Sequence, residues 1–104
     1  MSGVLDVLGE PHRRRLLDVL RTGEASVGEL VRAMAISQPL VSKHLRVLRE
    51  ANLVAVRTDG QRRLYRLEPG PLIELDAWLE PYRQLWTTSL DRLEAHLTEG
   101  DTHD

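Results

Sequence analysis

Apolar residues along most of this chain recur at spacings of three and four, as in amphipathic helices, and in one stretch they alternate, as in strands. Val4, Leu5 and Leu8 mark a short first helix closed by Gly9. Pro11 stands where a second helix starts, a position at which its missing N–H costs nothing. Leu16, Leu17 and Leu20 give that helix its stripe, and Thr22-Gly23 ends it. Ser26-Val27-Gly28-Glu29 reads as a capping box, in which each side chain accepts the other residue's backbone N–H. Leu30, Val31 and Met34 follow as the apolar side of a third helix. After Ala35-Ile36, Ser37 is a second N-cap with Pro39 in the first turn, and Val41, Leu45 and Leu48 carry a stripe to about Ala51.

Leu53–Thr58 and Gln61–Leu67 are extended. Val54 and Val56 alternate, as do Tyr65 and Leu67, and Asp59-Gly60 between them is a strong two-residue hairpin signal. Pro69-Gly70-Pro71 stops the second strand and starts a last helix. From Leu72 onward Leu75, Leu79, Tyr82, Trp86, Leu90, Leu93 and Leu97 keep a spacing of three or four, and Pro81 is expected to kink or split that helix. The predicted class is mainly α with a small β-hairpin, in the order α-α-α-α-β-β-α. One domain covers 1–97, with a last helix over about 71–97 and a flexible polar tail over 98–104.

At 104 residues the chain has room for one domain. Its longest unbroken apolar runs are four residues, Ala33–Ile36 and Leu53–Val56, against the roughly 20 that a membrane span needs. The expectation is a cytoplasmic protein without a membrane partner. There is no cysteine, which excludes disulfides, Fe–S clusters, thiolate zinc sites and thiol catalysis. The formal charge of −2 argues at first against nucleic acid, but it is unevenly placed. Residues 1–66 carry twelve basic and seven acidic side chains, a net of +5, and residues 67–104 carry two basic and nine acidic, a net of −7. An acidic end cannot lie against phosphates, so the basic part is the expected reading head and the acidic last helix the distal part.

Two short helices joined by a tight turn and followed at once by a hairpin form a winged helix-turn-helix. Such a unit puts a helix in the major groove, where base edges are distinguishable, and lets a basic hairpin reach the neighbouring backbone. A helical wheel tests the fourth helix. With Val41, Leu45 and Leu48 on one side, Ser42, Arg46, Pro39 and Lys43 fall on the other, and Gln38 lies near the helix start. Between Ser37 and Arg66 the only acids are Glu50 and Asp59, against seven basic residues. Arg57, Arg62 and Arg63 on the hairpin add backbone-contact candidates, with a solvated surface as the alternative for each. His44 falls at the edge of the core face, open between a DNA contact and a packing role.

Those residues carry a family resemblance. Leu8-Gly9-Glu10-Pro11-His12-Arg13, Val27-Gly28-Glu29-Leu30 and Asp59-Gly60-Gln61-Arg62-Arg63-Leu64-Tyr65 contribute to it. The run Ser37-Gln38-Pro39-Leu40-Val41-Ser42-Lys43-His44-Leu45 contributes most. Over about residues 4–97 the chain resembles the ArsR/SmtB family of winged-helix repressors. The resemblance implies a homodimer that binds a palindromic operator on double-stranded DNA and represses its own or a neighbouring operon. It implies DNA contacts at Ser37, Gln38, Ser42, Lys43 and His44, to which the wheel adds Pro39 and Arg46. Ser26 and Gly28 stand where thiol-using members carry the two cysteines of their metal motif. The last helix offers His96 alone, and Asp101-x-His103 in the tail is half of a site. No metal site and no cofactor is therefore expected, in keeping with a metal-independent subgroup that the Trp78-Leu79, Tyr82-Arg83 and Trp86 pattern resembles. An unknown effector stays open.

The long C-terminal stripe exceeds what so small a core needs. Leu79, Tyr82, Trp86, Leu90, Leu93 and Leu97, with Val4, Leu5 and Leu8, are the expected dimer seam. An enzyme is not expected: nucleophile-elbow, phosphate-loop, zinc-protease and dinucleotide motifs are all missing, and the histidines at 12, 44, 96 and 103 pair with no nucleophile. A winged-helix protein–protein module and a repressor responding to metal through non-thiolate ligands are the remaining alternatives.

Overall fold

The computed structural model describes the backbone of residues 2–102 and the side chains of residues 3–97. The elements are α1 (Ser2–Leu8), α2 (Pro11–Leu20), β1 (Ala25–Ser26), α3 (Val27–Met34), α4 (Gln38–Glu50), β2 (Val54–Asp59), β3 (Arg62–Leu67) and α5 (Gly70–Thr102). The chain forms two units, one reaching to Glu74 and the other opening at Leu75.

Capping sets the helix boundaries of the first unit. Glu10 caps α2 by accepting the Arg13 N–H at 3.1 Å. Arg13 and Arg14 then reach back across Gly9 to the last carbonyls of α1. Arg13 Nε donates to the Val7 carbonyl at 2.7 Å, and Arg14 Nη1 to that of Leu8 at 2.6 Å. These carbonyls have no partner within a helix that ends at Leu8, and the arginines satisfy them. The expected capping box is present: Ser26 Oγ accepts the Glu29 N–H, and Glu29 accepts the Ser26 N–H. Ser37 Oγ accepts the Leu40 N–H at the start of α4. Ala35 closes α3 in the left-handed region at φ 57°, with its N–H on the Val31 carbonyl. That reversal carries the chain into α4 within three residues.

Leu16, Leu30, Met34, Val41, Leu45, Leu48 and Leu53 are fully buried and form the centre of the core. In α1 the buried residues are Val4 and Val7, while Leu8 is half-buried and Leu5 is 45% exposed. The sheet has three strands in the order β1-β3-β2, one more than the hairpin read from the sequence. The added strand is two residues long, Ala25 opposite Tyr65 and Ser26 opposite Leu64, too short to show alternation. The hairpin register runs from Val54 opposite Leu67 to Asp59 opposite Arg62. Its loop is therefore Gly60-Gln61, one residue later than Asp59-Gly60. Gly60 at φ 63° supplies the positive φ at the first loop position that a type II′ turn needs.

In the second unit α5 runs unbroken through Pro81, so the proline does not split it. Pro81 has no N–H to offer the Ala77 carbonyl. Arg83 braces this stretch: its Nη2 donates to the Asp76 carbonyl at 2.9 Å and to Glu80 Oε2 at 2.6 Å, and Nη1 bonds the Asp76 carboxylate. The helical backbone continues to Thr102, into the stretch expected as a tail. His103 and the Asp101 side chain lie outside the described residues.

Candidate nucleic-acid interface

Two faces of α4 part company sharply. Val41, Leu45 and Leu48 are buried to 1% exposure or less, and the opposite side presents Gln38, Pro39, Ser42, Lys43, Arg46 and Arg49, all exposed. Ser37, exposed at the N-cap, completes the face. An open groove of about 570 Å³ runs along it. Gln38, Ser42, Lys43 and Arg46 of α4 form one wall, Arg63 of β3 contributes from the wing, and Val27, Leu45 and Tyr65 lie beneath. Lys43 and Arg46 make no ion pair among the described residues, so their charge is available to an anionic partner.

The wing arginines divide into two kinds. Arg57 makes a two-pronged pair with Glu24, Nε to Oε2 at 2.8 Å and Nη2 to Oε1 at 2.9 Å. Hydrogen bonds from Arg57 and its charge hold the Glu24 carboxyl below its ordinary value of 4.5. Arg62 Nη2 bonds Oε1 of Glu29, the capping-box carboxylate, at 2.8 Å. Hydrogen bonds from the Ser26 N–H and hydroxyl, then the nearby Arg62 and Arg32 charges, lower Glu29 in turn. Arg66 pairs with Glu68. Arg63 lies over the Tyr65 ring, 5.9 Å from its centroid, with no acidic partner among the described residues. Of Arg57, Arg62 and Arg63, Arg63 is thus the one that joins the groove. The other two brace the hairpin against the segment before α3 and against α3 itself. Exposed pairs of this type are worth about 0–1 kcal/mol, so a phosphate can displace the carboxylates.

His44 departs from the exposed set. It is 7% exposed, with Nε2 3.8 Å from Glu10 Oε2, and its ring is 5.6 Å from that of His12. Its Nδ1 has no hydrogen-bond partner among the described residues. Burial, offset in part by Glu10, and then the nearby Arg13, His12 and Lys43 charges keep its pKa below the ordinary 6.5. At the edge of the apolar stripe the imidazole turns inward, toward Glu10 and His12 at the start of α2. Glu10, His12 and His44 form a group with ligand-type atoms all within 4.8 Å of one another. No sequence spacing announces this group, because His12 and His44 belong to different helices.

The residues expected at a dimer seam are mostly bare in the single chain. Tyr82, Trp86, Leu90, Leu93 and Leu97 are 45–65% exposed and Leu79 is half-buried. Trp78, its ring 5.0 Å from that of Tyr82 and tilted by 42°, and Leu85 extend that surface. Of the N-terminal set, Leu5 is exposed and Val4 is buried. No helix among the described residues is long and apolar enough to cross a membrane.

Residues 10–56, from the cap of α2 into β2, match the family described as bacterial regulatory protein, arsR family. A helix-turn-helix-type transcriptional regulator of Mycobacterium tuberculosis is 41% identical over 83 residues, covering 80% of this chain and 75% of that protein. The transcriptional repressor SdpR of Bacillus subtilis is 30% identical over 79 residues, covering 76% and 88%. Among solved structures, the homodimeric winged helix-turn-helix DNA-binding domain of a possible ArsR-family regulator from Mycobacterium bovis superposes with a TM-score of 0.65. It is 26% identical, with 80% of this chain and 77% of that one covered.

Proposed function

The chain belongs to the arsR family of bacterial regulatory proteins, a family of transcriptional regulators and not of enzymes, and on that premise we propose that it is a homodimeric repressor reading a palindromic operator in the cytoplasm. The observation that carries this reading is the two-sided α4, apolar and buried on one side, with Gln38, Ser42, Lys43 and Arg46 unencumbered on the other. Gln38 lies in the first turn, where recognition helices meet base edges, and its amide can bond an adenine edge with two hydrogen bonds. Lys43 and Arg46 supply phosphate or guanine contacts, and Ser37, Pro39 and Ser42 complete the surface. Arg63 follows the backbone from the wing, with Arg57 and Arg62 in reserve behind their glutamates.

The exposed apolar stripe of α5 supports a second copy of the chain as its cover. Aromatic and leucine side chains in a single run fit the buried centre of such an interface. Leu5 of α1 supplies a further apolar contact. A twofold dimer sets two α4 helices about 34 Å apart, one turn of DNA, and each copy then reads one half-site.

A mobility-shift titration against the DNA upstream of the protein's own gene tests the proposal. The expected outcome is a specific shift with log K falling against log salt at a slope of roughly −5 to −9, for about 6–10 phosphates neutralised. Gln38→Ala should relax discrimination at one base position by roughly 1–3 kcal/mol and spare binding to random DNA. A folded dimer that shifts no operator-like fragment would overturn the reading in favour of a protein partner for the same face.

A further inference from the structure

Two histidines and a carboxylate meet where the start of α2 packs on α4, outside the surface proposed to touch DNA. Glu10 Oε1 lies 3.4 Å from His12 Nδ1, and Oε2 lies 3.8 Å from His44 Nε2. The three ligand-type atoms all fall within 4.8 Å of one another. Ligand atoms on a tetrahedral zinc ion, at bonds of about 2.0–2.2 Å, stand roughly 3.4 Å apart, so small side-chain rotations close the set.

The donors are held in position by their surroundings. Glu10 is fixed in place by the Arg13 N–H, which its Oε2 accepts at 3.1 Å. His44 is nine-tenths buried with Nε2 directed at Glu10, while its Nδ1 has no hydrogen-bond partner among the described residues. A neutral imidazole is the form that ligates. Glu10 and His12 are half-buried, which leaves solvent access for a fourth, water ligand. Two imidazoles and one carboxylate suit a borderline transition ion, whereas magnesium and calcium prefer oxygen donors alone.

We propose that Glu10, His12 and His44 form a three-ligand site for a divalent transition cation of the zinc type, linking the first turn of α2 to the middle of α4. The site stands on these residues whether or not the chain reads DNA. It is separate from the Ser26/Gly28 positions and from the histidines of the C-terminal part.

Titration of the full chain, stripped with a chelator, by Zn²⁺ in a calorimeter and by Co²⁺ in a spectrophotometer tests the site. The expected result is one ion per chain and Co²⁺ d–d bands of four- or five-coordinate intensity. His12→Asn and Glu10→Gln, each checked for native helicity by circular dichroism, should weaken binding at least tenfold and abolish those bands. A chain with His96→Asn and His103→Asn together should bind as the wild type does. Stoichiometric binding that survives His12→Asn and Glu10→Gln, or disappears with the two C-terminal changes, would overturn the proposal. So would the failure of the native chain to bind either ion at 100 μM metal, a concentration on the order of the weaker biological sites.

Discussion

Helices α4 and α5 begin alike and end in opposite circumstances. Each has a proline in its first turn and leucines at a spacing of three or four. In α4 the apolar side is sealed by the chain itself, with Val41, Leu45 and Leu48 at 1% exposure or less. In α5 the same kind of side stands open from Trp78 to Leu97, with Leu90 at 65%. The difference teaches that periodicity fixes which side of a helix is apolar and leaves open what covers it. A sealed stripe with a polar, basic back is a tool held by its own domain. An open stripe is what the proposed dimer would cover.

Replacing a leucine in each helix is the hardest test of that contrast. Leu45→Ala should cost about 2–5 kcal/mol in urea unfolding at any protein concentration, as expected for a truncated core leucine. Leu90→Ala should instead shift the concentration dependence of Tm, since only association buries that side chain; an equal loss for both variants at every concentration would erase the distinction. Trp86→Ala sharpens it. A central aromatic in the seam should weaken the dimer by about 2 kcal/mol or more in sedimentation equilibrium. At the turn that aims α4, Ala35 occupies a conformation that favours glycine. Ala35→Gly should therefore raise stability by about 0.5–1 kcal/mol without altering dimerisation, read by denaturant melts of both.

The smallest effect belongs to the wing braces. Glu24 has its carboxyl lowered in the folded chain by Arg57, so its contribution is complete above the ordinary value of 4.5 and fades as pH falls through the lowered one. Amide exchange over Val56–Arg63 should quicken in that acid range, and Glu24→Gln should remove the dependence. A profile unchanged by Glu24→Gln would mean that Arg57 does not anchor the hairpin.

Most of the fold was legible because it rests on short-range rules. The capping box at Ser26 and Glu29, the cap at Ser37 and the stripes of α2, α3 and α4 all lie within a few residues of what they determine. The misses share a cause as well. Strand β1 exists only through its pairing with Tyr65 and Leu64, some forty residues away. Val7 is buried because Arg13 and Arg14 fold α2 back onto the end of α1, which no pattern within α1 records. The exposed face of α4 followed from the wheel, whereas the inward turn of His44 and the engagement of Arg57 and Arg62 depended on partners 33 or 34 residues earlier in the chain. The group at Glu10, His12 and His44 was hidden for the same reason.

The register of the small sheet has a mechanical outcome. Strand β1 pairs with β3 at Tyr65 and Leu64 alone, so the sheet is three strands wide there and two from Arg63 outward to the Gly60-Gln61 loop. A two-stranded ribbon is weakly held by itself. Beyond Leu64 the ribbon is thus joined to its neighbours by side chains instead of a third strand. The Arg62–Glu29 and Arg57–Glu24 pairs are its stays, two separate ties where a strand would have supplied a ladder.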